Sequence, residues 1–148
     1  MVLNIREAVA KDGPKLINLG CKLIDNVMEL RSDRKKVNYI VTAAMCSKAH
    51  KLLVAEEDGK VVGAMLTATD QFVFAEKMYG YITAIHYLND IIGRELISYT
   101  MDWIESRKAV QLVNYSMPVK TSVDRLLLEQ GFEASGSMLV WRRYGRVE

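Results

Sequence analysis

The chain has 148 residues, half of them hydrophobic, and carries 20 Lys and Arg against 18 Asp and Glu. That size fits one domain over residues 1–148 with a core of its own, and the composition excludes a disordered chain. A net charge of +2 excludes the concentrated basic field of a nucleic-acid binder.

Leu3 to Val9 opens as a strand, since Leu3, Ile5 and Ala8 interleave with Asn4, Arg6 and Glu7. Lys11-Asp12-Gly13-Pro14 starts a helix, with Asp12 or Gly13 as cap and proline in the first turn. Leu16, Leu19, Leu23, Val27 and Leu30 follow at helical spacing. A second helical stretch, from about Arg34 to Ser47, gathers Val37, Ile40, Val41, Ala44 and Met45 on one side.

A hairpin comes next. Lys51 to Glu57 is a strand, Asp58-Gly59 a two-residue turn, and Lys60 to Thr69 the return. Asp70 to Lys77 reads as a loop, and Met78 to Tyr87 as a strand rich in tyrosine, isoleucine and threonine. Tyr79, Tyr81, Thr83 and Tyr87 alternate onto one face, where core packing is their expected role.

His86-Tyr87-Leu88-Asn89-Asp90-Ile91-Ile92-Gly93-Arg94 runs from that strand through a short polar turn into a helix from about Ile92 to Arg107. Such a junction aims backbone N–H groups at one spot where an anion can be held. Val110 to Tyr115 is an apolar strand expected to be covered on both faces. Thr121 to Gln130 is a helix capped by Thr121 or Ser122 and stopped by Gly131. Met138 to Trp141 is the last strand. The order β-α-α-β-β-β-α-β-α-β describes a mixed α/β sheet covered by helices.

Arg31, Arg34, Lys35 and Lys36 form one basic cluster and Arg142, Arg143 and Arg146 another, both read as solvated surface. Cys21 and Cys46 are the only cysteines. They have no metal-ligand companions and read as buried small hydrophobes. No metal site is expected. Charged residues begin at Arg6-Glu7, unlike a signal peptide, and no apolar run spans a bilayer. A cytoplasmic setting without membrane attachment is expected.

Leu126-Leu127-Leu128-Glu129-Gln130-Gly131-Phe132 and Glu56-Glu57-Asp58-Gly59-Lys60-Val61-Val62-Gly63, set in that element order, resemble the GNAT superfamily of N-acetyltransferases. The resemblance covers nearly the whole chain. It implies a central mixed, mostly antiparallel sheet of about six to seven strands flanked by about four helices. It also implies acetyl-CoA as cosubstrate.

In that family an Arg/Gln-x-x-Gly-x-Gly/Ala turn holds the cofactor's pyrophosphate on backbone N–H groups. Gly93 matches the second small position, whereas Leu88 stands for Arg or Gln and Ile91 for the first glycine. The resemblance implies cofactor-binding roles for Tyr87, Leu88, Ile92, Gly93, Arg94 and Asn114. The family's tyrosine acid aligns with Leu127 and its helix-opening asparagine with Lys120, so neither usual group is present.

His86, at the end of the central strand, is a candidate base because the unperturbed pKa of histidine suits that role near neutrality, against a packing role under the following helix. Tyr115 could replace the missing acid, or simply finish its strand. Glu76, near the start of the central strand, is a further candidate base, whereas Glu56 and Glu57 decorate a hairpin. His50 is expected at the surface.

Two functions follow from the resemblance. One is an acetyl-CoA-dependent N-acetyltransferase acting by direct attack of an amine, borne by a small molecule or a protein. The other is a catalytically inactive GNAT-fold protein that serves as a protein-binding or homodimerising module. Leu88, Ile91 and Leu127 favour the second.

Overall fold

The computed structural model describes residues 2–28, 30–117, 121–136, 139 and 141. Strands β1 (Leu3–Glu7), β2 (His50–Glu57), β3 (Lys60–Gln71), β4 (Met78–Tyr87) and β5 (Val110–Asn114) form a sheet in sequential order. Pairing is antiparallel from β1 to β4 and parallel between β4 and β5. Helices α1 (Gly13–Asn26), α2 (Arg34–Cys46), α3 (Asp90–Ser106) and α4 (Ser122–Glu129) flank it.

Period-two alternation sorts the strands between two cores. Leu53 and Ala55 face α3 and α4, packing with Met65, Leu96, Ile97 and Leu126. Leu52 and Val54 face α1 and α2, packing with Leu16, Val37 and Val41. Each fully buried aliphatic side chain contributes roughly 1.5–3 kcal/mol, so these two layers hold the sheet in place.

The turn at Asp58-Gly59 forms as expected, with left-handed φ of 51° and 76° and Glu57 paired to Lys60. Gly131 also has a left-handed φ, 95°, and its N–H and that of Phe132 donate to Leu128 and Leu127 carbonyls, ending α4.

Five strands are present among the described residues, below the six to seven expected. Of Met138–Trp141, Met138 and Val140 lie outside the described residues, and Leu139 and Trp141 stand exposed outside any strand. Arg142, Arg143, Arg146 and Lys120 lie outside them as well. Arg31, Arg34, Lys35 and Lys36 are exposed. β5 is not covered on both faces, and Leu112 is 47% exposed.

The cysteines also depart from expectation, since Cys46 is exposed and Cys21 only half-buried. No helix among the described residues is long and apolar enough to cross a membrane.

Asp12 occupies the N-cap position of α1, but its side chain makes no capping hydrogen bond to that helix. It is buried and accepts the Val9 N–H at 2.8 Å and two Arg6 guanidinium bonds at 2.7 and 3.0 Å. Arg6 also holds Glu56, tying β1 to β2.

The Arg6 hydrogen bond holds the Asp12 carboxyl below its usual pKa. Its stabilisation is therefore complete above the ordinary carboxylate pKa of about 4 and disappears as pH falls through the depressed folded value. Asp12→Asn is expected to cost about 2 kcal/mol at pH 7, read by urea melts. The gap to the unsubstituted protein should close as pH falls below about 4.

Candidate active site

β4 runs on past the end of β5. Their pairing runs from Met78–Val110 to Tyr81–Asn114. β5 stops at Asn114, while β4 continues to Tyr87. From Ile82 to Tyr87 the edge of β4 has no strand beside it among the described residues.

A bulge on β4 sets which side chains face this opening. Leu66 pairs with Ala84 and Thr67 with Ile82, leaving Thr83 as the extra residue. An extra residue reverses the alternation of everything beyond it. Ile82, Ile85 and Tyr87 therefore all pack toward α3 and α4. Tyr79 and Tyr81, whose rings lie 5.9 Å apart, occupy the opposite face, so the four alternating residues do not share one.

A hollow of about 210 Å³ fills the opening, lined by Leu23 of α1 and Val27 just after it, His86 and Tyr87 of β4, Tyr115, and Ser122 of α4. His86 and Tyr115 thus meet at one cavity from the two sides of the sheet. His86 is exposed on the α1 side. Partial desolvation pushes its pKa below the usual histidine value, and Lys15 and Lys22 add to the shift. Its imidazole is neutral at pH 7.

Tyr115 is half-buried against the α3–α4 core. Burial pushes its pKa above the ordinary phenol value, while a hydrogen bond from Thr121 opposes the shift. The phenol stays protonated at neutral pH.

The first turn of α3 is partly satisfied by its own residues. Asn89 is the cap: its side-chain oxygen accepts the Ile92 N–H at 3.1 Å, and its carbonyl accepts the Gly93 N–H at 3.1 Å. The Leu88 N–H donates to Val62 across the sheet. The N–H groups of Asp90 and Ile91 remain without a partner among the described residues. Leu88 and Ile91 expose their side chains, at 69% and 66%. Ile92 is instead buried in the core.

Gly93 does permit a close approach, but to the protein itself. A Cβ there would stand 2.7 Å from Leu126 Cδ1 and 3.0 Å from the Tyr87 ring.

Three contacts staple α4 to this junction. Tyr87 Oη and Ser122 Oγ lie 2.5 Å apart, Arg125 pairs with Asp90 at 2.5 Å, and Arg94 with Glu129 at 2.7 Å. Asp90 and Arg94, one turn apart on α3, face Arg125 and Glu129, one turn apart on α4, and Tyr87 at the end of β4 meets Ser122 at the start of α4. The carboxylates raise the pKa of Arg94 and Arg125, and Arg94 lowers that of Glu129. These pairs are exposed, so their contribution is orientation more than stability.

The remaining expected site residues are scattered. Asn114 is exposed at the last β4–β5 pair, at the foot of the opening. Glu76 lies in the β3–β4 connection, at the other end of β4. At about 3.3 Å per residue it stands roughly 30 Å along the strand from His86 and takes no part in the cavity. Glu56 is occupied by Arg6. His50 is half-buried, its Nδ1 3.0 Å from Ser47 Oγ.

Sequence reasoning missed Asn89, Ser122 and Arg125 as structural partners. An asparagine directly before Asp-Ile-Ile is a helix-cap signal that could have found the first.

The sequence matches no protein-family model and no curated protein. Solved structures do match. A predicted acetyltransferase with acetyl-CoA from Clostridium acetobutylicum is 16% identical, with a TM-score of 0.71, covering 95% of this chain and 96% of its own. A ribosomal-protein-alanine N-acetyltransferase from Brucella melitensis is 18% identical, with a TM-score of 0.71, covering 97% and 100%. A GNAT family acetyltransferase from Staphylococcus aureus is 16% identical, with a TM-score of 0.65, covering 97% and 100%. Identity this low speaks to architecture, and the architecture is clear: the chain has the GNAT acetyltransferase fold.

Proposed function

We propose that residues 1–148 act as one GNAT-like domain that transfers an acetyl group from acetyl-CoA to an amine by direct attack. The observation that carries this reading is the opening between β4 and β5, with His86 on one side of the sheet and Tyr115 on the other.

The residues fit the two ends of acetyl-CoA unequally. The opening suits the acyl and pantetheine end, where the free edge of β4 offers backbone groups and Asn114 a side-chain amide. At the pyrophosphate end, Asp90 and Ile91 keep free N–H groups. Arg94 and Arg125 stand beside them, each engaged by a carboxylate.

Acetyl-CoA supplies an acyl group already activated as a thioester. The chain supplies position, which accounts for most of the rate in such a transfer, and two proton carriers. His86 accepts the amine proton as the C–N bond forms. Tyr115 donates its proton to the sulfur as the C–S bond breaks, and Thr121 steadies the phenolate left behind. Lys15 and Lys22 favour the neutral form of an amine near His86, as they do for His86 itself.

Acetyl-CoA-dependent thiol release in the presence of amine acceptors tests this reading. Release that Tyr115→Phe slows by about tenfold supports it. This is below the usual range for a general acid, because a thiolate leaves readily. An absence of release with small amines and protein acceptors alike overturns it.

One observation favours a second reading, a non-catalytic module. Asp90 places a carboxylate in the turn where the fold's enzymes hold an anion, and the cap and staples close that turn. Calorimetry separates the two: micromolar heats of acetyl-CoA binding support the enzyme, and no heat at millimolar cofactor supports the module.

A further inference from the structure

We propose that the chain carries a second ligand site, for a small multivalent anion, at the end of the sheet away from His86. A concavity of about 390 Å³ lies there, between the end of α2, the start of β2 and the last turn of α3. It is nearly twice the hollow at the β4–β5 opening and within the usual range of small-molecule sites.

Its lining is unbalanced in charge. Lys48, Lys51 and Arg107 face a single carboxylate, Glu7. His50 adds an imidazole from the same wall.

The cations are placed by packing. The Lys51 side chain is only 16% exposed, with its ammonium 2.8 Å from Glu7 and 5.4 Å from the Trp103 ring centroid. The Arg107 guanidinium lies 5.2 Å from the same ring. Contact with an indole face holds a cation without neutralising it.

Arg107 donates one N–H to the Lys48 carbonyl at 2.7 Å, just past the end of α2. That uses one of the guanidinium's five donors. The Lys48 ammonium has no partner among the described residues. A concave wall with excess positive charge concentrates counter-ions, and a planar donor fork beside two ammonium groups suits phosphate or carboxylate oxygens.

Trp103 makes the site readable. In a Trp141→Phe background, its fluorescence is titrated with inorganic phosphate in one arm and citrate in the other. Ionic strength is held constant with sodium chloride.

A saturable change in either arm, weakened at least tenfold by Lys51→Gln or Arg107→Gln, supports the site, and the stronger arm identifies the oxyanion type. If either variant fails to fold, Lys48→Gln, an exposed and unpaired position, takes its place with the same expectation. A change that is linear, that chloride reproduces, or that the substitutions leave intact overturns the proposal. None of these readouts depends on acetyl-CoA.

Discussion

Gly93→Val is expected to destabilise the fold by about 3 kcal/mol and to free Tyr87 from Ser122. A Cβ at this position stands 2.7 Å from Leu126 Cδ1 and 3.0 Å from the Tyr87 ring, closer than ordinary contact. Leu126 is fully buried and cannot swing away without opening the α3–α4 core. Overpacking of this kind costs about 1–3 kcal/mol, and the two branched methyls of valine put it at the upper end.

Gly93→Ala should cost less, about 1 kcal/mol, because alanine recovers nearly that much in helix propensity. Thermal melts give the order glycine, alanine, valine. The environment of Tyr87, followed by NMR of its ring, should shift in the same order. Equal melting temperatures for all three would show that α4 does not sit against α3 as described.

His86→Gln is expected to lower transfer by about 100-fold or more with little change in stability, because the side chain is exposed. The pH profile carries the assignment. A base works when neutral, and desolvation with Lys15 and Lys22 holds the His86 pKa below 6.5. Activity should therefore persist below pH 6.5, fall only as the pH drops through that depressed value, and lose this limb in the glutamine variant. Lys22→Glu should raise the midpoint. A limb unchanged by both substitutions would assign the base elsewhere.

The order of helices and strands from β1 to α4 was legible because each core face has its own period. Leu52 to Ala55 alternate between two layers, and Asp58-Gly59 admits one turn. The limits of β4, Met78 to Tyr87, matched as well.

The bulge at Thr83 was not legible, because alternation looks the same on either side of an inserted residue until the partner strand is known. Alternation alone puts Tyr87 on the face of Tyr79 and Tyr81, and the bulge moves it to the other. Asp12 sits at the cap position before Gly-Pro, yet its carboxylate is taken by Arg6, six residues earlier. The meeting of His86 with Tyr115 was legible only through the resemblance, since where β5 ends against β4 is a property of two strands. The staples from Tyr87, Asp90 and Arg94 to α4 needed the parallel placement of α3 and α4.

The most direct test of acetyl transfer at the β4–β5 opening is a crystal structure with bound CoA. The pantetheine should lie along Ile82–Tyr87, with its sulfur between His86 and Tyr115 and its phosphates near Asp90 and Ile91. Crystals grown at millimolar CoA that show the opening empty, or CoA bound elsewhere, would contradict it.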